Sequence, residues 1–187
     1  MMLRSPRFIW RGDLSLGLRN RSMQYFAYGS NMNHDHMQQH CPGIVSTGKL
    51  RLEGFRLVFN YHADIIPMEG CSVHGGLWQI TEVHEEALDR YEGYPDYYGK
   101  YYQDKVMFYR MAQGGTDSEP PAKWYLEMVI QGYREFGLTQ KDFEESLGVK
   151  QLGLTQTDLE ESLGVSMAEL EDLFFAATAA CPDASLL

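Results

Sequence analysis

Met23-Gln24-Tyr25-Phe26-Ala27-Tyr28-Gly29-Ser30-Asn31-Met32 is the stretch from which the rest of the chain can be read. Aromatic and small apolar residues run up to a Gly-Ser-Asn stop. Tyr and Phe favour strands, so the first half is predicted as a buried strand. Gly29 then allows a turn or a close approach to the backbone. Ser30 and Asn31 are residue types that cap helix N-termini. A strand that turns into a helix start leaves backbone N–H groups without intrahelical partners. Such groups can hold an anion or a developing oxyanion. A capped strand end without chemistry would use the same residues, so the stretch becomes a site only with a second element.

The chain has 187 residues, 44% of them hydrophobic and 13% aromatic, enough for one domain with a substantial core. No apolar run approaches the roughly 20 residues of a membrane span, so no membrane partner is expected. A net charge of −10 argues against nucleic-acid binding, which needs a basic face. Cys41, Cys71 and Cys181 are odd in number and follow no motif spacing, which fits free thiols in a reducing, cytoplasmic compartment. Residues 1–22 hold five arginines against Asp13 alone, a net +4, and lack the apolar core of a secretory signal. An organelle leader and an extension ahead of a start at Met23 both fit them. The expected organisation is a basic, poorly ordered extension over 1–22, a folded domain over 23–149 and an acidic helical extension over 150–187.

Residues 32–42 read as a polar helix ending at Pro42-Gly43. His36 and His40 have metal-ligand spacing on it, but no third ligand stands in register, so a solvated face is expected. Two strands, Ile44–Leu52 and Phe55–Tyr61, are expected around Glu53-Gly54. After Ala63–Pro67, a turn at Met68-Glu69-Gly70 leads to a strand over Ser72–Ile80. Gly75-Gly76 within it marks a bulge or a close approach. Cys71 and His74 lie three apart in an extended segment and face opposite sides, so they form no nucleophile–base pair.

Thr81 opens a helix as its N-cap, with Val83, Ala87, Leu88 and Tyr91 as the apolar stripe and Gly93 just past its end. Glu92 therefore sits in the last turn, at the negative end of the helix dipole, among Tyr91, Tyr94, Tyr97 and Tyr98. Dipole and desolvation both raise a carboxyl pKa. A carboxyl group tuned upward is what a general acid/base needs at neutral pH. An ordinary surface glutamate at a helix end would have the same sequence. Strands over Lys100–Tyr102 and Val106–Met111 follow, then a polar loop over 112–119. A helix is expected from Pro120-Pro121, with Pro121 near its first position and Tyr125, Val129, Gly132/Tyr133 and Phe136 on one face, ending at Gly137.

Gly137-Leu-Thr-Gln-Lys-Asp-Phe-Glu-Glu-Ser-Leu-Gly-Val149 recurs as Gly153-Leu-Thr-Gln-Thr-Asp-Leu-Glu-Glu-Ser-Leu-Gly-Val165. Each copy has a Thr cap with an acid three residues on, then an apolar stripe and a Gly stop. Two units are too few for a solenoid, so short helices on the domain's edge are expected. Part of the repeat looks like a helix-turn-helix, but residues 139–175 carry two lysines against nine acids, which repels phosphates.

Together these residues resemble the γ-glutamylcyclotransferase-like superfamily, from about Met23 to Leu147. Tyr25–Met32 matches its signature, and Leu88-Asp89-Arg90-Tyr91-Glu92-Gly93 looks like its helix-end motif. Ala63–Pro67 and Gly76–Ile80 look like its middle strands, and Pro120 to Leu138 like its later helix. The resemblance implies an α+β fold: a small closed mixed β-barrel of about six strands with flanking helices. It implies Glu92 as catalytic acid/base. It implies Tyr28, Gly29, Ser30 and Asn31, with Tyr25 beside them, as substrate-binding residues, and Tyr125 as the residue that closes the pocket. Tyr98 and Tyr101 both match the tyrosine expected after the glutamate, and Tyr98 is taken into the set.

The implied activity cyclises a γ-glutamyl amino acid or amine to 5-oxoproline and a free amine, as in glutathione metabolism. The implied partner is a small γ-glutamyl molecule, with no metal or organic cofactor and no nucleic acid, acting on a monomer or homodimer. Asp64 stands where relatives often have Asn, the segment between Glu92 and Met111 is shorter than usual, and the basic leader and duplicated tail are not family features. A different class of reading is a non-catalytic barrel scaffold whose acidic helices form a docking face.

Overall fold

A computed structural model describes residues 23–114 and 119–175; the basic extension and Cys181 lie outside them. Strand β1 (Met23–Ala27) leads through a 3-10 turn (Ser30–Met32) to helix α1 (His34–His40). Strands β2 (Val45–Asn60) and β3 (His62–Ile80) come next, then α2 (Glu82–Glu92), β4 (Tyr98–Gln103) and β5 (Val106–Met111). Helices α3 (Lys123–Glu135), α4 (Gln140–Ser146), α5 (Val149–Leu152), α6 (Gln156–Leu163) and α7 (Met167–Phe175) complete the order. The fold is α+β, with one mixed five-stranded sheet in the order β2-β3-β1-β5-β4.

The opening stretch forms the buried strand its composition dictates, with Tyr25, Phe26 and Ala27 all in the core. β1 runs antiparallel to β3, from Met23↔Ile80 to Ala27↔Gly76, and parallel to β5 at Gln24↔Val106 and Tyr25↔Met107. The helix cap falls two residues beyond Asn31. Asn33, rather than Ser30 or Asn31, caps α1 by accepting from His36 N at 2.9 Å.

The closed six-stranded barrel is not what the strands form. The hydrogen-bonded order is open, with β2 and β4 at its edges. β1 is only five residues long. Where it stops, β3 and β5 lose their common neighbour, and β5 meets the beginning of β3 through side chains instead of a backbone ladder. Arg110 Nε donates to Ile65 O at 2.7 Å, Met111 N to Asp64 Oδ1 at 2.9 Å, and Tyr98 OH to Ala63 O at 3.1 Å. Asp64 is fully buried at this seam.

The strands expected between 44 and 80 merge into one long hairpin. β2 and β3 pair from Val45↔Gln79 to Asn60↔His62, and the chain reverses at Tyr61, at φ 58°. Glu53-Gly54 and Met68–Gly70 do not break strands; the register shifts between Glu53 and Phe55, and the extra residues of β3 are absorbed there as a bulge. Gly75 and Gly76 serve close approach. A Cβ at Gly75 would lie 2.2 Å from Ala27 O, and one at Gly76 would lie 2.4 Å from the Phe136 ring. His74 does not pair with the buried Cys71 thiol; its ring lies between Asp142, at 3.8 Å, and Glu145, at 3.3 Å.

Helix α3 starts at Lys123 with Ala122 as its cap, so both prolines precede it. The segment ahead is held extended against the hairpin end, where Tyr61 N donates to Glu119 O at 3.1 Å. Tyr125, Leu126, Val129, Ile130 and Tyr133 form the buried face of α3. Both repeat copies become helices, α4 and α6, capped by the Thr139/Asp142 and Thr155/Asp158 capping boxes. The first copy docks on β3: His74 N donates to the buried Ser146 Oγ at 2.9 Å, and Tyr133 OH donates to His74 O at 2.9 Å. No helix among the described residues is long and apolar enough to cross a membrane.

Gly75→Ala forces a side chain into the β1 backbone and should destabilise the fold by about 1–3 kcal/mol. Its thermal midpoint should fall by about 2–4 °C for each kcal/mol lost. A calorimetric midpoint equal to the parent's would show that β1 and β3 can separate freely here.

Candidate active site

The gap beyond β1 opens into a cavity of about 470 Å³. Its walls are the 28–31 loop, the end of α2, the start of β4, the start of β3 and Tyr125 of α3. Tyr25, Tyr28, Gly29, Ser30, Asn31, Glu92, Tyr98 and Tyr125 all line it, so the structure gathers every sequence-selected position at one place. Tyr101 does not reach it; its ring stacks on Phe108 at 6.1 Å and lies under the Arg110 guanidinium at 4.8 Å.

Asn31 joins the loop to the helix end. Its Nδ2 donates to Glu92 Oε1 at 2.8 Å and to Tyr25 OH at 3.0 Å. Its main-chain carbonyl accepts from Trp78 Nε1 at 3.0 Å, which anchors the loop to β3. Asn31 is 4% exposed, and its Oδ1 has no hydrogen-bond partner among the described residues. Gly93 ends α2 in the left-handed conformation, at φ 62°, as the sequence suggests. Burial pushes the Glu92 carboxyl up to about 7, against the Asn31 hydrogen bond, which favours the charged form. The cavity thus holds a half-protonated carboxyl group near neutral pH.

The surrounding tyrosines stay neutral. Burial raises Tyr25, Tyr28, Tyr98 and Tyr109 well above their ordinary value, and Tyr125 to about 12. They act as hydrogen-bonding groups rather than as anions. Tyr28 OH donates to Tyr109 O at 2.7 Å, and Ala63 N donates to Tyr125 OH at 3.1 Å. A Cβ at Gly29 would stand 3.1 Å from both Tyr125 OH and Ala63 Cβ, so the glycine lets α3 close over the loop.

The structure adds residues the sequence reading did not select: His62, Arg90, Tyr91, Tyr97 and Tyr109. Tyr91 and Tyr97 flank Glu92 in sequence, and that proximity was a usable signal. Tyr109 lies on β5, and its OH donates to Asp89 Oδ1 at 2.6 Å. His62 enters only because the hairpin reverses at Tyr61; its ring stands edge-on to Tyr125 at 5.0 Å. His36 and His40 are half-buried rather than a solvated face. His36 Nε2 hydrogen-bonds Tyr91 OH at 2.9 Å, and the His40 ring lies 4.0 Å from that of Tyr91. Burial lowers the pKa of both. They back the cavity wall from outside. No group of three or more His, Cys, Asp or Glu residues placed to hold a metal occurs among the described residues.

The model of the family described as gamma-glutamyl cyclotransferase, AIG2-like, matches residues 25–132. The chain is 28% identical to a gamma-glutamylcyclotransferase of Bos taurus over 141 residues, covering 63% of this chain and 73% of that protein. It is 27% identical to the gamma-glutamylcyclotransferase of Mus musculus over 153 residues, covering 70% and 80%. A solved structure of a gamma-glutamyl cyclotransferase shares the fold, with a TM-score of 0.54 and 22% identity over 83% of this chain and 99% of that one.

Glu92 binds its proton more tightly in the folded chain than at its ordinary value of 4.5. Folding stability should therefore fall as pH rises from about 4.5 to about 7 and level off above that. Glu92→Gln removes the ionisation. In urea unfolding it should match the parent at pH 4 and exceed it by about 3 kcal/mol at pH 8. An equal difference at both pH values would mean that Glu92 is not held protonated.

Proposed function

The chain belongs to the gamma-glutamyl cyclotransferase, AIG2-like family, and we propose that it is an active γ-glutamylcyclotransferase. In this reading it releases 5-oxoproline from a γ-glutamyl amino acid or amine. The observation that carries it is the Glu92 carboxyl, raised to about 7 and hydrogen-bonded to Asn31 of the loop on the same cavity.

The reaction is an intramolecular aminolysis. The α-amine of the γ-glutamyl group attacks its own γ-carbonyl carbon, a new C–N bond closes a five-membered lactam, and the amide bond to the leaving amine breaks. The nucleophile and carbonyl belong to one molecule, so the protein's task is to hold a folded conformer ready to react. The enclosing tyrosines and the Gly29 approach of Tyr125 suit that task. The attacking amine must be neutral and must shed a proton as the ring closes. Glu92 in its ionised form takes that proton and passes it to the departing nitrogen, so one carboxyl group serves as base and then as acid. A value near 7 keeps both forms populated at neutral pH. The γ-carbonyl oxygen gains negative charge as the ring closes, and the N–H groups of the 28–31 loop are its donors in this reading. The α-carboxylate is received by the same loop. Only protons and one acyl group move, so the chemistry balances without a metal or organic cofactor. The buried free thiols of Cys41 and Cys71 agree with a reducing, cytoplasmic setting.

The test is 5-oxoproline release from a panel of γ-glutamyl amino acids, γ-glutamyl-lysine and glutathione. Glu92→Gln should lower kcat by about 10²–10⁴ with an unchanged circular dichroism spectrum. Near-parental release by this variant would exclude Glu92 as the acid/base. Tyr125→Phe should raise KM by about 3–10-fold, the worth of one hydrogen bond, with little change in kcat. An unaltered KM would remove Tyr125 from the substrate's surroundings. Turnover of no member of the panel would favour a binding module on the same scaffold.

A further inference from the structure

The cavity is graded from a closed floor to an open lip. Tyr25, Tyr28, Ser30, Asn31 and Tyr125 at the floor are buried. Arg90 and Tyr97 line the same cavity and are exposed. Tyr97 is 77% exposed, yet its backbone is held on both sides: its N–H donates to Gly93 O at 3.0 Å and its carbonyl accepts from Ala112 N at 2.8 Å. Its ring lies against Gly93, where a Cβ would come within 2.7 Å of Tyr97 Cδ2. A large, mostly uncovered ring thus stands at the lip on a backbone held at both its N–H and its carbonyl. Arg90 lies in the last turn of α2, and its side chain makes no hydrogen bond or ion pair with the described residues. The neighbouring carboxylates of α2, Glu85 and Asp89, are taken by Lys100. Glu86 and Asp96 lie nearby in sequence but do not line the cavity. Besides Glu92, the charged side chain that lines the cavity is therefore Arg90, which is positive.

With the γ-glutamyl group at the floor, as the proposed activity requires, the leaving amine projects to the lip. We infer that Arg90 and Tyr97 select that leaving group, and that the preferred substrates are γ-glutamyl aromatic α-amino acids. The guanidinium receives the carboxylate of the leaving amino acid in its planar fork. The Tyr97 ring packs against the aromatic side chain. A polyamine or other cationic leaving group meets Arg90 with like charge and is disfavoured. The inference rests on the proposed activity, and the experiment separates the two.

The full chain is assayed for 5-oxoproline release from γ-glutamyl-phenylalanine, γ-glutamyl-alanine, γ-glutamyl-phenethylamine and γ-glutamyl-putrescine, beside Arg90→Gln and Tyr97→Ala. Phenylalanine carries both recognition groups, alanine lacks the ring, phenethylamine lacks the carboxylate, and putrescine replaces the carboxylate with a cation. For the parent, kcat/KM for the phenylalanine conjugate should exceed that for phenethylamine by about tenfold or more, the worth of a charge-assisted hydrogen bond. It should exceed that for alanine by about 2–10-fold, the worth of an aromatic pair. Arg90→Gln should bring the phenylalanine-to-phenethylamine ratio to about one while keeping the preference over alanine. Tyr97→Ala should do the reverse. Equal or faster turnover of the putrescine conjugate, or variants that keep both parental ratios, would overturn the selection while leaving the activity standing. Release from none of the four by the parent would overturn the activity and the selection with it.

Discussion

The hydrogen bond from Asn31 Nδ2 to Glu92 Oε1, 2.8 Å long, ties together two segments 61 residues apart. It fixes the 28–31 loop against the end of α2 and opposes, without cancelling, the rise that burial imposes on the carboxyl group. A donor held this close keeps the ionised form accessible in a dry environment. Without it, burial would hold the carboxyl group neutral to a still higher pH and weaken it as a base. The anchoring of the Asn31 carbonyl by Trp78 and the sharing of Nδ2 with Tyr25 show why the loop itself does not move to meet the charge. The donor's position is set by β1 and β3 before any substrate arrives.

That arrangement depends on a strand that stops early. β1 supplies a ladder to β3 and β5 for five residues only. Past Ala27 the two flanking strands are joined by side chains, and the space between them becomes the cavity. Asp64 and Arg110 close the seam by hydrogen-bonding to main-chain groups across it. A continuous ladder would have filled the space with backbone and left no room for a ligand.

Local chemistry made half of this site readable. A Tyr-rich run ending in Gly-Ser-Asn must leave its strand there, and Leu88, Tyr91 and Gly93 fix where α2 ends, so Glu92 and the loop could be named from the sequence. Choosing Tyr98 over Tyr101 matched their positions, because alternation on β4 turns only one of them inward. What stayed hidden was long-range. The hairpin reverses at Tyr61 without a glycine, whereas Gly54 and Gly70, which look like turns, are bulge positions inside strands. With the reversal misplaced, His62 had no reason to join the site. The open seam was hidden because its bonds are made by the side chains of Arg110 and Asp64, which a strand pattern does not report. His36 and His40 looked solvated because their partner, Tyr91, lies 55 residues on from His36 and arrives only through packing.

The duplicated segment sets β3 a problem of identity. The copies 137–149 and 153–165 differ only at Lys141/Thr157 and Phe143/Leu159. Lys141 faces solvent, whereas Phe143 is fully buried, with its ring 5.1 Å from Tyr133 and 6.4 Å from Phe59. Every polar group that α4 uses against His74 and Ser72 is present again in α6. During folding two nearly interchangeable keys are offered to one lock, and a single benzyl group in place of an isobutyl group is the buried difference between them. The first key also leaves the ribosome earlier. Correct assembly of this edge therefore rests on the shape of one side chain and on the order of synthesis, rather than on any distinct recognition sequence.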